Sequence, residues 1–198
     1  MDGKAVVRAD AEAQALRQSG AEALAQALQA SRRDTLATFE LFDSALAARD
    51  FAVPQSIELN PPLWELGHIG WFQTHWIGRN PDRLRGAAAD PFVPRVPAAR
   101  HNADALYDSS RVAQPTRWSL PLPGAQATRA DLADSLAQSL KLLLASREDD
   151  NSLYFHRLCL FHEDMHHEAA LYMAQVLGIP VIDARWQRGT SWCRRASN

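Results

Sequence analysis

The sequence predicts an all-α domain: a four-helix bundle with a long irregular crossover between its second and third helices. Two observations carry that prediction. Apolar residues recur at helical spacing in four separate segments, and seven of the prolines gather in one stretch between the second and third of them. The chain has 198 residues, 46% hydrophobic and 22% charged, enough for one domain with a real core. The expected layout is an N-terminal extension over 1–19, the bundle over 20–180 and a tail over 181–198.

The first helix is expected from about Gly20 to Arg49. Ser19 with Glu22 reads as a capping box, and Leu24, Leu28, Thr35, Phe39, Phe42 and Leu46 fall on one face. The second opens at Asn60-Pro61-Pro62, where Asn suits the cap and Pro loses no needed hydrogen bond. Trp64, His68, Trp71 and His75 form one stripe of it; Leu66, Ile69 and Trp76 form another, so the helix should be buried on both sides. Gly67 and Gly70 cost helix stability and imply a close neighbour.

From Arg79 to Ala127 the pattern collapses. Pro81, Pro91, Pro94, Pro97, Pro115, Pro121 and Pro123 forbid long helices, a short helical piece fits Asn102 to Ser109, and Trp118, Leu120 and Leu122 should pack down. The third helix is expected from Thr128, boxed by Asp131, through Leu132, Leu136, Leu140, Leu143 and Leu144. After the Asp149-Asp150-Asn151 turn the fourth runs from about Ser152 to Leu177, stopped by Gly178 and Pro180. Short links join helices one and two and helices three and four, whereas helices two and three have the long crossover. That connectivity allows an up-down-down-up bundle.

Composition narrows the function. A net charge of -2 and a pI near 6.4 provide no basic field for nucleic acid or anionic membrane. No apolar run reaches the length of a membrane span, and Met1 to Ala30 lacks the features of a signal peptide, so a cytoplasmic location is expected. Two cysteines, Cys159 and Cys193, make no disulfide framework, and Cys159 reads as a small buried hydrophobe. The partner expected is a small-molecule substrate, with neither nucleic acid nor membrane, and exposed helix faces leave room for a homodimer. Arginines in the 79–127 insert modestly outnumber its acids, and one of them could meet a substrate carboxylate.

The chemistry lies in the histidines. Leu158, Phe161, Met165, Ala169, Tyr172, Met173 and Val176 mark the core face of the fourth helix, and His162 and His166 complete it, so both should face the bundle interior. Four residues advance a helix by about 400°, so the two imidazoles lie on one side and can share a metal ion. His68, on the Trp64–Trp71 stripe, should point inward to join them. Three neutral imidazoles from two helices suit a divalent ion, iron(II), zinc or nickel, with coordination positions left open. Glu65, Gln73 and Glu168 are the candidates to orient the imidazoles. His75, about 10 Å along the axis from His68, should serve behind the ligands or at the surface, and His101, His156 and His167 read as ordinary structural histidines.

His162-Glu163-Asp164-Met165-His166 also matches the H-E-x-x-H zinc peptidase pattern. The elongated form requires Gly and His where Ala169 and Tyr172 stand, and a downstream carboxylate is well placed at neither Glu168 nor Asp183.

Asn60-Pro-Pro-Leu-Trp-Glu-Leu-Gly-His68-Ile-Gly-Trp71-Phe72, followed by His162-Glu-Asp-Met-His166-His-Glu168, resembles the DinB-like domain. More narrowly it resembles the N-terminal domain of the ergothioneine-type sulfoxide synthases and of selenoneine synthases. Tyr107-Asp108-Ser109-Ser110 and Arg117-Trp-Ser-Leu-Pro-Leu-Pro123 resemble the selenoneine side. The resemblance implies His68, His162 and His166 as ligands of a mononuclear non-haem iron(II). That ion would activate O2 and join sulfur or selenium to the imidazole carbon of trimethylated histidine. It also implies a second, C-terminal domain resembling formylglycine-generating enzymes, which supplies a catalytic tyrosine. Residues 181–198 do not read as the start of such a domain, and the expectation is a truncated chain, a frameshifted gene product or a domain that works alone. The alternatives are a stand-alone DinB-like metal-dependent thiol transferase or isomerase, and a non-catalytic metal-binding bundle.

Overall fold

A computed structural model describes residues 14–181; the expectations for most of the N-terminal extension and for the tail lie outside it. Among the described residues the chain is helical with no strand. The long helices are α1 (Ala21–Leu46), α2 (Pro62–Gln73), α4 (Ala125–Leu144) and α5 (Asp150–Val176), and α3 (Ala103–Tyr107) is the short piece in the insert. A π turn, Thr74–Gly78, extends α2, and 3-10 turns at Arg83–Ala88 and Gln114–Ser119 flank α3.

Contacts between helices give their directions. Going up α1, Ala21 meets Glu148, Ser31 meets Asp164 and Thr38 meets His167, so α1 and α5 run parallel. Gln73 meets Ser135, and Gly70 and Gly78 lie against Leu132 and Gln138, so α2 and α4 are also parallel. Arg32 reaches Gln73 while Phe39 packs on Leu66, which sets α1 against α2. The result is the up-down-down-up bundle.

Three start signals act differently from the expectation. Ser19 donates to the Leu16 carbonyl, and the first N–H of α1, at Ala21, is met instead by the Glu148 carboxylate at 3.0 and 3.1 Å. A carboxylate there offsets the positive end of the helix dipole. Asn60 does not cap α2, because its amide is engaged by Glu65 and Arg117. α4 begins at Ala125, three residues before Thr128, whose hydroxyl donates back to the Pro123 and Gly124 carbonyls; Asp131 pairs with Arg100. α5 begins at Asp150, inside the expected turn and two residues before Ser152, with Asp149 as its cap accepting the Ser152 N–H at 2.9 Å.

The core has apolar ends and a polar middle. Leu24, Leu28, Leu143, Leu153 and Leu160 fill one end; Phe42, Leu46, Leu59, Met173 and Ala174 fill the other. Between them Arg32 of α1 holds Glu163 of α5 through Nε at 2.6 Å and Nη2 at 3.1 Å. Nη2 also donates to Gln73 Oε1 of α2, which accepts from Ser135 of α4 as well. All four residues are buried, so each long helix contributes one member to a dry polar layer. The insert is pinned by indoles: Trp64 donates to the Leu106 carbonyl, Trp71 to Asp104 and Trp118 to the Val53 carbonyl.

The inward face of α5 differs from the expected one. Leu153, Phe155, Cys159, Leu160, Glu163, His167, Met173 and Ala174 are buried, whereas Met165, Tyr172 and Val176 are exposed. The helix is apolar over more than half its circumference, and the polar layer draws Glu163 inward. That rotation leaves His162 and His166 partly buried on the seam with α2.

Candidate metal centre

α2 and α5 cross so that His68 comes level with His162 and His166. One ring nitrogen from each lies within 4.8 Å of the other two, and His68 Nε2 is 3.2 Å from His162 Nε2. Two nitrogens each about 2.1 Å from one ion, at about a right angle or slightly more, stand about 3 Å apart. The spacing therefore fits a shared metal.

The outer nitrogens fix the tautomers. His68 Nδ1 lies 2.8 Å from the Tyr107 carbonyl, which can only accept, so Nδ1 carries the proton and the lone pair is on Nε2. His166 Nδ1 donates to Glu65 Oε2 at 2.6 Å, which likewise leaves its Nε2 free. His162 has no such outer partner: without an ion its Nε2–H can donate to the His68 Nε2 lone pair, and in its other tautomer both lone pairs face one point, where a cation satisfies both.

Electrostatics favour the neutral, ligating forms. Burial, with the adjacent His166 adding to it, holds His68 at about 4. Burial, then His166 and His68, pushes His162 down to about 2. Burial alone would raise the Glu65 carboxyl, but the hydrogen bond from His166, the nearby imidazoles and Asn60 outweigh it and keep it below the usual carboxylate range. Aromatic rings lock the imidazoles in place. Trp64 lies parallel to His68 at 4.7 Å, Trp71 covers it at 5.6 Å, and Phe72 stacks on His162 at 3.5 Å.

The structure sorts the other candidates. Glu65 supports a triad imidazole. Gln73 does not: it belongs to the polar layer with Arg32 and Ser135. Glu168 is exposed, on the side of α5 away from the triad. His75 is not among the converging nitrogens; it sits half-buried between Trp71 and Trp76. His156 and His167 are buried, the latter bonded to Thr38, and His101 is exposed. Glu163, the would-be peptidase base, is fully engaged by Arg32, which removes the basis of that motif. Sequence reasoning missed Tyr107, which acts through a backbone carbonyl that no residue type announces. It also missed Asn60, which read as a cap.

No family model matches the chain. Two curated proteins do. This chain is similar to proteins named hercynine oxygenase. The one from Mycolicibacterium smegmatis is 32% identical over 165 residues, covering 82% of this chain and 34% of that protein. The one from Mycobacterium tuberculosis is 29% identical over 165 residues, covering 82% of this chain and 35% of that protein. The chain thus spans about a third of the length of the curated relatives it matches. Among the described residues no helix is long and apolar enough to cross a membrane.

Proposed function

We propose that this chain is the iron-binding module of a non-haem iron, O2-dependent enzyme acting on trimethylated histidine, a sulfoxide or selenoxide synthase joining sulfur or selenium to the imidazole carbon. The observation that carries the reading is the convergence of His68, His162 and His166 nitrogens, in a chain whose relatives are named for hercynine, which is trimethylhistidine. Glu65 and the Tyr107 carbonyl hold two of the three rings in the ligating tautomer. A partly exposed all-imidazole set suits iron(II), and zinc and nickel are the competing ions. Bound iron would supply the activation of O2. The residues themselves contribute binding, ring orientation and the apolar walls Trp71 and Phe72. A second domain would furnish the rest of the substrate pocket.

The test is metal analysis of protein purified without an affinity tag and loaded anaerobically with iron(II), followed by titration with trimethylhistidine. Stoichiometric iron whose spectrum changes on adding trimethylhistidine is the expected result. A native protein that retains no metal overturns the reading. Retained metal with no response to trimethylhistidine, also with the relatives' C-terminal portion supplied, overturns the substrate assignment.

A further inference from the structure

The irregular insert bears on the metal centre through the Tyr107 carbonyl, already described, and through the side chain of Arg117. It lies in the Gln114–Ser119 turn, which is tied to the 53–59 segment on both sides. Gln114 donates to the Ser56 and Leu59 carbonyls at 2.8 and 2.9 Å, and Trp118 donates to the Val53 carbonyl at 3.0 Å. So held, Arg117 does two things. Its guanidinium carbon sits 3.7 Å from the centre of the Trp64 ring, the ring that lies parallel to His68. Its Nη1 donates to Asn60 Oδ1 at 2.9 Å, and the Asn60 amide in turn donates to Glu65 Oε1 at 2.5 Å. Glu65 Oε2 accepts from His166 Nδ1.

The polarity of this chain is forced. A guanidinium can only donate, so Asn60 must turn its oxygen to Arg117 and its NH2 to Glu65. Glu65, a carboxylate that only accepts, demands the same orientation, so the amide is held from both ends; without Arg117 its oxygen loses its donor and the amide, with Glu65 behind it, keeps only one anchor. We infer that Arg117 is a positioning residue of the metal centre, orienting His166 through Asn60 and Glu65 and His68 through Trp64. The inference rests on the metal-centre reading above.

The experiment compares cobalt(II) affinity, by chelator competition, in the native protein, Arg117→Ala, Arg117→Lys, Asn60→Ala and the double variant, with the His166 Nδ1–H proton resonance recorded in each metal-free protein. Partners behind ligands of this kind change affinity by about 10–100-fold. Arg117→Ala is expected to weaken cobalt binding by at least that lower factor and to move the His166 resonance upfield while helicity is kept. Arg117→Lys, which can still donate to Asn60 but cannot lie flat on Trp64, should fall between it and the native protein. The Asn60→Ala/Arg117→Ala double variant should bind far more tightly than the product of the two single losses implies, because both cut one chain. Affinity within twofold of native and an unmoved resonance in Arg117→Ala overturn the inference, as do independent losses in the double variant. If Arg117→Ala does not fold, Arg117→Lys carries the same comparison. Native protein that binds no cobalt overturns the metal-centre reading as well; native binding with an indifferent Arg117 overturns this inference alone.

Discussion

Glu163→Gln separates the roles of two adjacent residues, Glu163 in the polar layer and His162 in the candidate metal triad. Glu163 is 1% exposed and Arg32 3%, so neither charge is shared with solvent. The carboxylate takes Arg32 Nε on one oxygen at 2.6 Å and Nη2 on the other at 3.1 Å. An amide of the same shape keeps one acceptor and sets an NH2 against the second guanidinium nitrogen. A buried cation is then left without its counter-charge, which costs about 3–5 kcal/mol. That is a large part of a total stability of about 5–15 kcal/mol. In a chain of this size it lowers the melting temperature by roughly 6–20 °C. Urea unfolding followed by far-UV circular dichroism measures it, with an unchanged slope showing that the unfolded state is not the cause. Metal stoichiometry should survive, because Glu163 faces Arg32 rather than the imidazoles. The double variant Arg32→Met/Glu163→Leu, which removes both charges, should be more stable than Glu163→Gln alone. A Glu163→Gln protein within about 1 kcal/mol of native would refute the buried-pair argument. Loss of metal with stability intact would place Glu163 in the site instead.

His68→Ala, His162→Ala and His166→Ala should each abolish tight metal binding, while His156→Ala and His167→Ala keep it; elemental analysis of the five proteins decides, and any triad variant with full metal drops out of the ligand set. Asp104 is held down at about 2, chiefly by the hydrogen bonds from Arg79, with burial opposing and Trp71 assisting. A depressed folded-state value means that its contribution to stability is complete above the ordinary aspartate range and is lost as pH falls from about 4 towards 2. Asp104→Asn should therefore flatten the fall in stability across that window, and an unaltered slope by acid titration of the circular dichroism signal would count against the pair. At Gly67 a methyl group would run into the Tyr107 ring, whose carbonyl holds His68. Gly67→Ala should cost about 1–3 kcal/mol as an overpacked contact and weaken metal binding too; a variant as stable as native would show that Tyr107 can move aside.

The bundle was legible because its signals are local and repeated. Leucines at steps of three and four set α1 and α4, the prolines of the insert set the break, and Gly178 with Pro180 set the end of α5. Helix starts were less legible. Ser19 and Thr128 are good caps in isolation, but Glu148 and Gly124 occupy those positions, and Glu148 arrives from more than a hundred residues away. Long-range partners of this kind leave no trace in local spacing. The same is true of Gln73, whose neighbours Arg32 and Ser135 claim it before any imidazole does.

α5 shows how three imidazoles can converge although the face that carries two of them was wrongly drawn. Leu158, Phe161, Met165, Tyr172 and Val176 form as regular an apolar stripe as the one that is buried, and periodicity alone cannot rank two such stripes. Glu163 decides between them. A carboxylate engaged by a buried arginine must face the core, which rotates its neighbours His162 and His166 to the seam and turns Met165 and Tyr172 outward. A histidine pair placed fully in the core would have no room for a substrate beside its ion. On the seam it keeps one shielded side, where Phe72 stacks on His162, and stays partly exposed. The charge pair that stabilises the bundle is therefore also what leaves the candidate metal centre accessible.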